Sequence, residues 1–342
     1  MPPEFQTHRF ELPASAAGLR LDQALAAALP QYSRARLQHW IRDGVVRIKG
    51  QPARARDRVQ GGEQIVVEAR FDADTAVGAE ALPLDIVYQD DQLLVLNKPA
   101  GLVVHPGAGN RSHTLQNALL AHDPALARVP RAGLVHRLDK ETSGLLIVAR
   151  TPEVHTRLVA QLAAREIGRE YLALVAGQPT GGARIDQPIG RHRSLRTRMA
   201  VRGDGREAIT NFRIEERFRV HTLLRVRLET GRTHQIRVHL AHVGLPLVGD
   251  PVYGGRQGRV AGDAEQLNAQ LHAFARQALH AQRLTLAHPG NGRELSFEAP
   301  LPADFQALLA QLRAHAGAAS AARRAPAAGS ARGRRRGKAR SR

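Results

Sequence analysis

The chain has 342 residues, enough for about two domains, and carries 50 Lys+Arg against 31 Asp+Glu, a net charge of +19. The absence of Cys excludes disulfides, Cys-ligated zinc, iron–sulfur clusters and a thiol nucleophile, and no run of about 18 apolar residues offers a membrane span. A hydrophobic share of 43% excludes wholesale disorder. Met1-Pro2-Pro3-Glu4-Phe5 shows no basic segment followed by an apolar one, so a soluble, cytoplasmic protein with a polyanionic partner is expected.

Residues 1–13 read as a loose lead. A small basic module follows over 14–69. Leu21, Ala24, Leu25 and Leu29 recur at helical spacing up to Pro30. Ser33 is a candidate N-cap for a second helix carrying Arg34, Arg36, Leu37, Trp40 and Ile41, which Gly44 ends. Val45 to Ile48 and Val59 to Val67 read as strands. Two short helices beside a small hairpin, with Ser33-Arg34-Ala35-Arg36, Ile41, Gly44, Val46 and Gly50 in place, resemble the S4 RNA-binding domain. In that arrangement Arg34 and Arg36 face RNA phosphates while Leu37, Trp40 and Ile41 face the core.

Residues 70–82 are acidic and rich in small residues, a linker pattern. Over 83–313 the pattern turns to short apolar or alternating strands: Leu84 to Tyr88, Gln92 to Leu96, Gly133 to Leu138, Leu145 to Ala149, Tyr171 to Ala176, His221 to Glu229 and Arg283 to Ala287. Helices are expected over Thr114 to Ala121, Val154 to Ala164 and Ala303 to Ala314. Many strands and few helices argue an α+β fold with a mixed, largely antiparallel sheet. The Gly181 to Arg206 stretch holds seven arginines and reads as a surface that touches RNA or as a solvated loop. Residues 314–342 should be a disordered basic tail. Nine of the nineteen net charges fall in Gly317 to Arg342, so +10 belongs to the remainder. Of the 50 basic residues all but Lys49, Lys98, Lys140 and Lys338 are Arg, the side chain suited to bidentate contact with phosphate and base edges.

The segment with most chemical content is Gly133-Leu134-Val135-His136-Arg137-Leu138-Asp139-Lys140-Glu141-Thr142-Ser143-Gly144, followed by Leu145 to Ala149. It reads as strand, polar loop, strand, with Asp139 at the mouth of the loop. A rigid scaffold bearing a carboxylate at its edge can position a nucleophile or base, although an Asp in a turn is more often a turn-former. If the first strand stays extended, Arg137 shares a face with Asp139.

The motif resembles that of the RluA-type pseudouridine synthases, whose signature is His-Arg-Leu-Asp followed by Thr-Ser-Gly. Further segments carry the resemblance: Asn97-Lys98-Pro99 with Val103-Val104-His105-Pro106-Gly107; Arg169-Glu170-Tyr171; Glu229-Thr230-Gly231-Arg232-Thr233-His234-Gln235-Ile236-Arg237-Val238-His239; and Gly249-Asp250-Pro251-Val252-Tyr253-Gly254. With the S4-like module it spans about residues 18–313. It implies that Asp139 is the catalytic carboxylate, that Tyr171 packs on the target base, and that Arg232 pairs with Asp139, fixing its orientation and favouring its charged form. Arg137 would lie near the flipped base or its phosphate. The implied reaction isomerises a uridine already in RNA, with 23S ribosomal RNA or a large-subunit precursor as partner, and no metal, nucleotide or redox cofactor. A monomer with no membrane association is expected. Asp139 would either attack C1′ or remove the 2′ proton; the sequence leaves both open, and leaves Asp139 or Tyr171 as the base at C5.

Other classes fit less well. His105, His136, His221, His234, His239 and His242 lack a His-Glu-x-x-His pattern and acidic partners, which disfavours zinc. Gly107-Ala108-Gly109-Asn110 is too sparse for a phosphate loop, and no Gly-x-Ser-x-Gly elbow is present. A nuclease or glycosylase would want a second carboxylate beside Asp139; Glu141 is near in sequence only. A non-catalytic ribosomal RNA-binding or assembly factor shares the charge and the S4-like module, but does not require Asp139, Tyr171 and Arg232 together.

Overall fold

The helical spacing around Leu21 and Leu37 is used as expected. In the computed structural model, which describes residues 4–30, 32, 34–71, 77–107, 110–195, 197–255, 260–261 and 264–324, the chain opens with β1 (Glu4–Glu11), α1 (Leu21–Ala28), α2 (Arg34–Arg42), β2 (Val46–Ile48), β3 (Gln51–Pro52) and β4 (Gln64–Phe71). Leu21, Ala24, Leu25, Leu37, Trp40 and Ile41 bury their side chains against Val46, Ile65 and Val67 of the sheet. The strand order is β1-β4-β2-β3. Residues 1–13 are therefore not merely a lead: β1 pairs antiparallel with β4 over all eight of its residues. Ser33, expected to cap α2, lies outside the described residues, as do 72–76 of the linker; the end of that linker docks through Glu80 N–H to the Asn117 carbonyl at 3.0 Å.

The larger unit contains β5 (Ile86–Gln89), β6 (Leu93–Lys98), α3 (Leu115–His122), β7 (Ser143–Ala149), α4 (Pro152–Ala163), β8 (Gly168–Ala176), β9 (Ala183–Asp186), β10 (Ile189–Arg191), β11 (Met199–Val201), β12 (Ile209–Arg217), β13 (His221–Leu228), α5 (Gln235–His242), α6 (Glu265–Ala273), β14 (Leu279–Ala287), β15 (Glu294–Glu298) and α7 (Ala303–Arg324). Among the described residues, nine of these strands form one sheet in the order β5-β6-β7-β14-β8-β13-β12-β9, with β15 on β14. Every pair in it is antiparallel except β7 with β14. The fold is α+β with a mixed, largely antiparallel sheet and an S4-like module before it.

The continuous apolar run of β7 reflects burial on both faces. Leu146 and Val148 pack with Leu115 and Leu119 of α3, while Leu145 and Ile147 pack with Val154 and Leu158 of α4. β8 is split in the same way: Tyr171, Ala173 and Val175 join the first core, and Leu172 and Leu174 join Phe305, Leu308 and Leu309 of α7.

Two expectations fail here. Gly133 to Leu138 is not a strand. Arg131, Ala132 and Gly133 take left-handed backbone angles, φ 54°, 51° and 81°, and the chain then meets β7 by a single bridge, Leu134 with Val148. His136 completes the contact by accepting the Ile147 N–H at Nε2, 3.2 Å; burial and then the Arg169 cation press its pKa down to about 3, keeping that acceptor neutral. The second concerns the C-terminus. The last helix runs to Arg324 rather than Ala314, so 314–324 are helical and not a disordered tail. Residues 325–342 lie outside the described residues. The basic stretch from Gly181 holds three short strands, β9, β10 and β11, joined by turns. No helix among the described residues is long and apolar enough to cross a membrane.

Candidate active site

The loop carrying Asp139 is held by buried donors. Lys98, at the end of β6, is 1% exposed and donates from Nζ to the carbonyls of Pro99 (2.7 Å), Leu102 (2.9 Å) and Lys140 (3.0 Å). Three acceptors match the three N–H donors of an ammonium, although burial pulls its pKa down to about 7. Gly101 N–H adds a second bond to the Lys140 carbonyl at 2.9 Å. Arg276 Nη1 reaches the Glu141 carbonyl at 3.3 Å, and Gln277 Nε2 reaches Thr142 Oγ1 at 3.1 Å. The Thr142 N–H closes the turn on the Asp139 carbonyl at 3.0 Å.

Against this fixed loop stands the first turn of α5. Arg237 Nη1 donates to Asp139 Oδ2 at 3.0 Å. The other edge of the guanidinium grips Asp250 bidentately, Nε to Oδ2 at 2.7 Å and Nη2 to Oδ1 at 2.9 Å. Asp250 Oδ1 also accepts the N–H groups of Val252 and Tyr253. Burial alone would lower the Arg237 pKa, but the two carboxylates hold it above its ordinary value. Burial would likewise raise Asp250, and its bonds to Arg237 keep it below the usual carboxylate range instead. Asp139 Oδ1 has no hydrogen bond among the described residues and is 3.9 Å from His234 Nε2. Tyr253 oxygen accepts the Met199 N–H at 2.8 Å, so its proton is assigned to His234 Nδ1 at 2.9 Å. His234, neutral because burial lowers its pKa, then carries its own proton on the nitrogen facing Asp139.

The Arg232 expectation is corrected by this geometry. Its Nε donates to the Glu207 carbonyl at 2.8 Å, and the ion pair with Asp139 belongs to Arg237, five residues on. Arg232 precedes α5, in a turn closed by Gln235 Oε1 accepting the Arg232 N–H; it lines the rim, whereas Arg237 projects inward from the helix. The signal for Arg237 was present in the sequence, a charge inside the apolar Ile236-Arg237-Val238, with an acid available in Gly249-Asp250-Pro251. For Lys98 the signal was a lone cation close behind the apolar run Leu93 to Leu96.

Tyr171 is 5% exposed, and its hydroxyl has no hydrogen bond among the described residues; burial raises its pKa. A cavity of about 580 Å³ brings together Asp139, Tyr171, His234, Arg237, Arg232 and Arg137. Arg137 is exposed, with Nη1 3.5 Å from His105 Nε2, and since the strand before Asp139 is absent it does not share a strand face with it. Arg34, on the S4-like module, donates from Nε and Nη2 to Asp22 Oδ2 at 3.0 and 2.7 Å. Asp22 is fully buried and also takes Arg20 and Gln38, so Arg34 supports this helix pair as well as being 45% exposed. Arg36 is half-buried. His239 is engaged by Thr210 Oγ1 and the Gln187 carbonyl.

Two family models match the chain, one in each of these units. The model described as RNA pseudouridylate synthase covers residues 92–242, and that of the S4 domain covers 19–65. The chain belongs to the RNA pseudouridylate synthase family. Ribosomal large subunit pseudouridine synthase D of Xanthomonas campestris is 52% identical to it over 302 residues, 88% of this chain and 91% of that one. The protein of the same description from Pseudomonas aeruginosa is 54% identical over 89% of this chain and 95% of its own. Among solved structures, human RNA pseudouridylate synthase domain containing 4 aligns with a TM-score of 0.53 at 26% identity, over 67% of this chain and 93% of that one. Human RNA pseudouridylate synthase domain containing 1 aligns with a TM-score of 0.50 at 26% identity, over 66% and 86%. The chain is an RNA pseudouridine synthase.

Proposed function

We propose that this synthase converts uridines of large-subunit ribosomal RNA, the 23S RNA or its precursor, to pseudouridine, with Asp139 as the catalytic carboxylate. The observation that carries the reading is the Asp139–Arg237–Asp250 chain at one wall of an arginine-lined cavity. Arg237 fixes one oxygen of Asp139 and leaves Oδ1 open to a nucleoside extruded from its stack. The relatives' descriptions support the ribosomal target. A cytoplasmic monomer that needs no metal or other cofactor belongs to the same proposal; the isomerisation is redox-neutral and so calls for no redox cofactor.

The steps balance as an isomerisation. The N1–C1′ bond breaks, assisted by Asp139 attacking C1′ or taking the 2′ proton, in analogy with a glycosidase carboxylate. The uracil turns and its C5 bonds to C1′, displacing the Asp139 carboxylate from C1′ on the first route or with the proton returned to C2′ on the second. C5 then loses its proton and the ring gains one at N1. Tyr171, kept protonated at neutral pH by burial, is a poor base there; its ring supplies a packing face for the base, and Asp139 is the better acceptor for the C5 proton. Stacking of this kind is worth roughly 1–3 kcal/mol per base.

Ribosomal RNA tritiated at uridine C5 reads the reaction directly. Wild-type protein should release tritium and Asp139→Asn should release none. Release that persists in the Asn variant removes Asp139 from the chemistry. Release from other RNAs but not from large-subunit RNA removes the proposed target.

A further inference from the structure

Arg169 is the second residue of β8 and one of the least exposed cations among the described residues, at 7%. Its Nε is buried without a hydrogen-bond partner, and no carboxylate among the described residues pairs with its guanidinium. That is an unusual condition, because a buried charge is normally paired or hydrogen-bonded. The cavity cannot compensate it from its own resources. Of the three carboxylates lining it, Asp139 is held by Arg237, and Glu207 and Glu229 are both held by Arg165, at 2.7 and 3.1 Å.

The guanidinium packs against the Thr230-Gly231-Arg232 turn: a Cβ on Gly231 would stand 2.9 Å from Arg169 Nη1, a contact that a small shift of the guanidinium would relieve. Arg169 and Tyr171 are two apart on one strand and both line the cavity, which puts them on the same face, roughly 7 Å apart along the strand. A group bound at Arg169 is thus one strand repeat from the ring that faces the target base.

We propose that Arg169 is a built anion subsite that takes a phosphodiester adjoining the target nucleotide, with the RNA supplying the counter-charge the protein lacks. This rests on the reading that the cavity receives RNA. A full negative charge is required: a neutral uracil carbonyl would hydrogen-bond but leave the cation uncompensated. The planar fork suits two oxygens of one phosphate. Arg169 is accordingly a binding residue, kept unpaired in the free protein and neutralised on loading.

The proposal makes opposite demands on the free and the loaded protein, and both can be read. In thermal melts of the free full-length protein, Arg169→Met should match or exceed wild type, since it removes an uncompensated buried charge. Inorganic phosphate should raise the wild-type midpoint by more than that of the Met variant. In tritium-release kinetics on ribosomal RNA, Arg169→Met should raise KM about 10- to 100-fold with kcat nearly unchanged, and Arg169→Lys should recover part of the loss, restoring the charge but not the fork. A Met variant that melts lower and keeps the whole phosphate response overturns the subsite, as does a KM equal to wild type. Should wild type itself release no tritium, the reading of the reaction falls, while the phosphate comparison still decides Arg169.

Discussion

Arg237 does two jobs through one guanidinium. Its bidentate edge neutralises Asp250, whose side chain has no exposure, and the remaining Nη1 bond aims Asp139. Position alone matters at this level, since a displacement of about 1 Å can cost roughly 100-fold in rate. Arg237→Met is expected to lower kcat in the tritium assay by on the order of 100-fold. It should also reduce unfolding free energy by roughly 3–5 kcal/mol, because Asp250 is left as a buried charge without its partner. Intact stability with lost activity would show that Arg237 serves Asp139 alone. The Arg34–Asp22 pair carries a similar warning for the S4-like module: Arg34→Ala removes an exposed cation and also strips a support from a fully buried carboxylate, so a loss of RNA binding in that variant mixes two causes.

At the scale of elements, the segment leading to Asp139 shows how a short apolar run is overruled. Gly133 to Leu138 has strand composition, yet one long edge of β7 is taken by β6 and the other is shared with β14 at Ser143 and Gly144. The segment instead turns sharply and docks through Leu134 and His136. Gly133 is what permits the approach: at φ 81° a Cβ there would sit 1.9 Å from the Ala149 carbonyl oxygen. Gly133→Ala is expected to cost at least about 2 kcal/mol from the backbone angle and the clash together. Urea melts should show the midpoint falling with an unchanged m-value; a midpoint equal to wild type would mean that the turn is not held against β7. α5 is the complementary case. Its apolar and basic residues alternate too closely to announce a helix, and the Gln235 side chain starts it by bonding Arg232 N–H, the Ile209 carbonyl and Thr210.

For the molecule as a whole, positive charge gathers in the S4-like module, the Gly181 to Arg206 stretch, the cavity and the C-terminal basic residues. Seven of the positive charges (Arg332, Arg334, Arg335, Arg336, Lys338, Arg340 and Arg342) follow Arg324. Truncation after Arg324 should leave tritium release at saturating RNA close to wild type. It should also flatten the dependence of log K for RNA on log salt, by up to roughly 0.7 for each phosphate that the shortened chain no longer neutralises. An unchanged slope would mean that these residues do not touch the RNA backbone.

Local stretches of residues were enough to mark candidate site residues and the order in which they come. They marked Asp139, Tyr171, the S4-like pattern around Arg34 and Arg36, and the apolar runs of β6, β7 and β8, because motif residues and burial on both faces of a strand leave local signatures. Who pairs with whom was settled by the folded chain alone. Arg237 rather than Arg232 reaches Asp139 across 98 positions, Lys98 gathers the Lys140 carbonyl across 42, and β14 inserts between β7 and β8. Those choices follow from chain packing at long range, where the competing partners differ only in distance and burial, and neither quantity is written in a short run of residues.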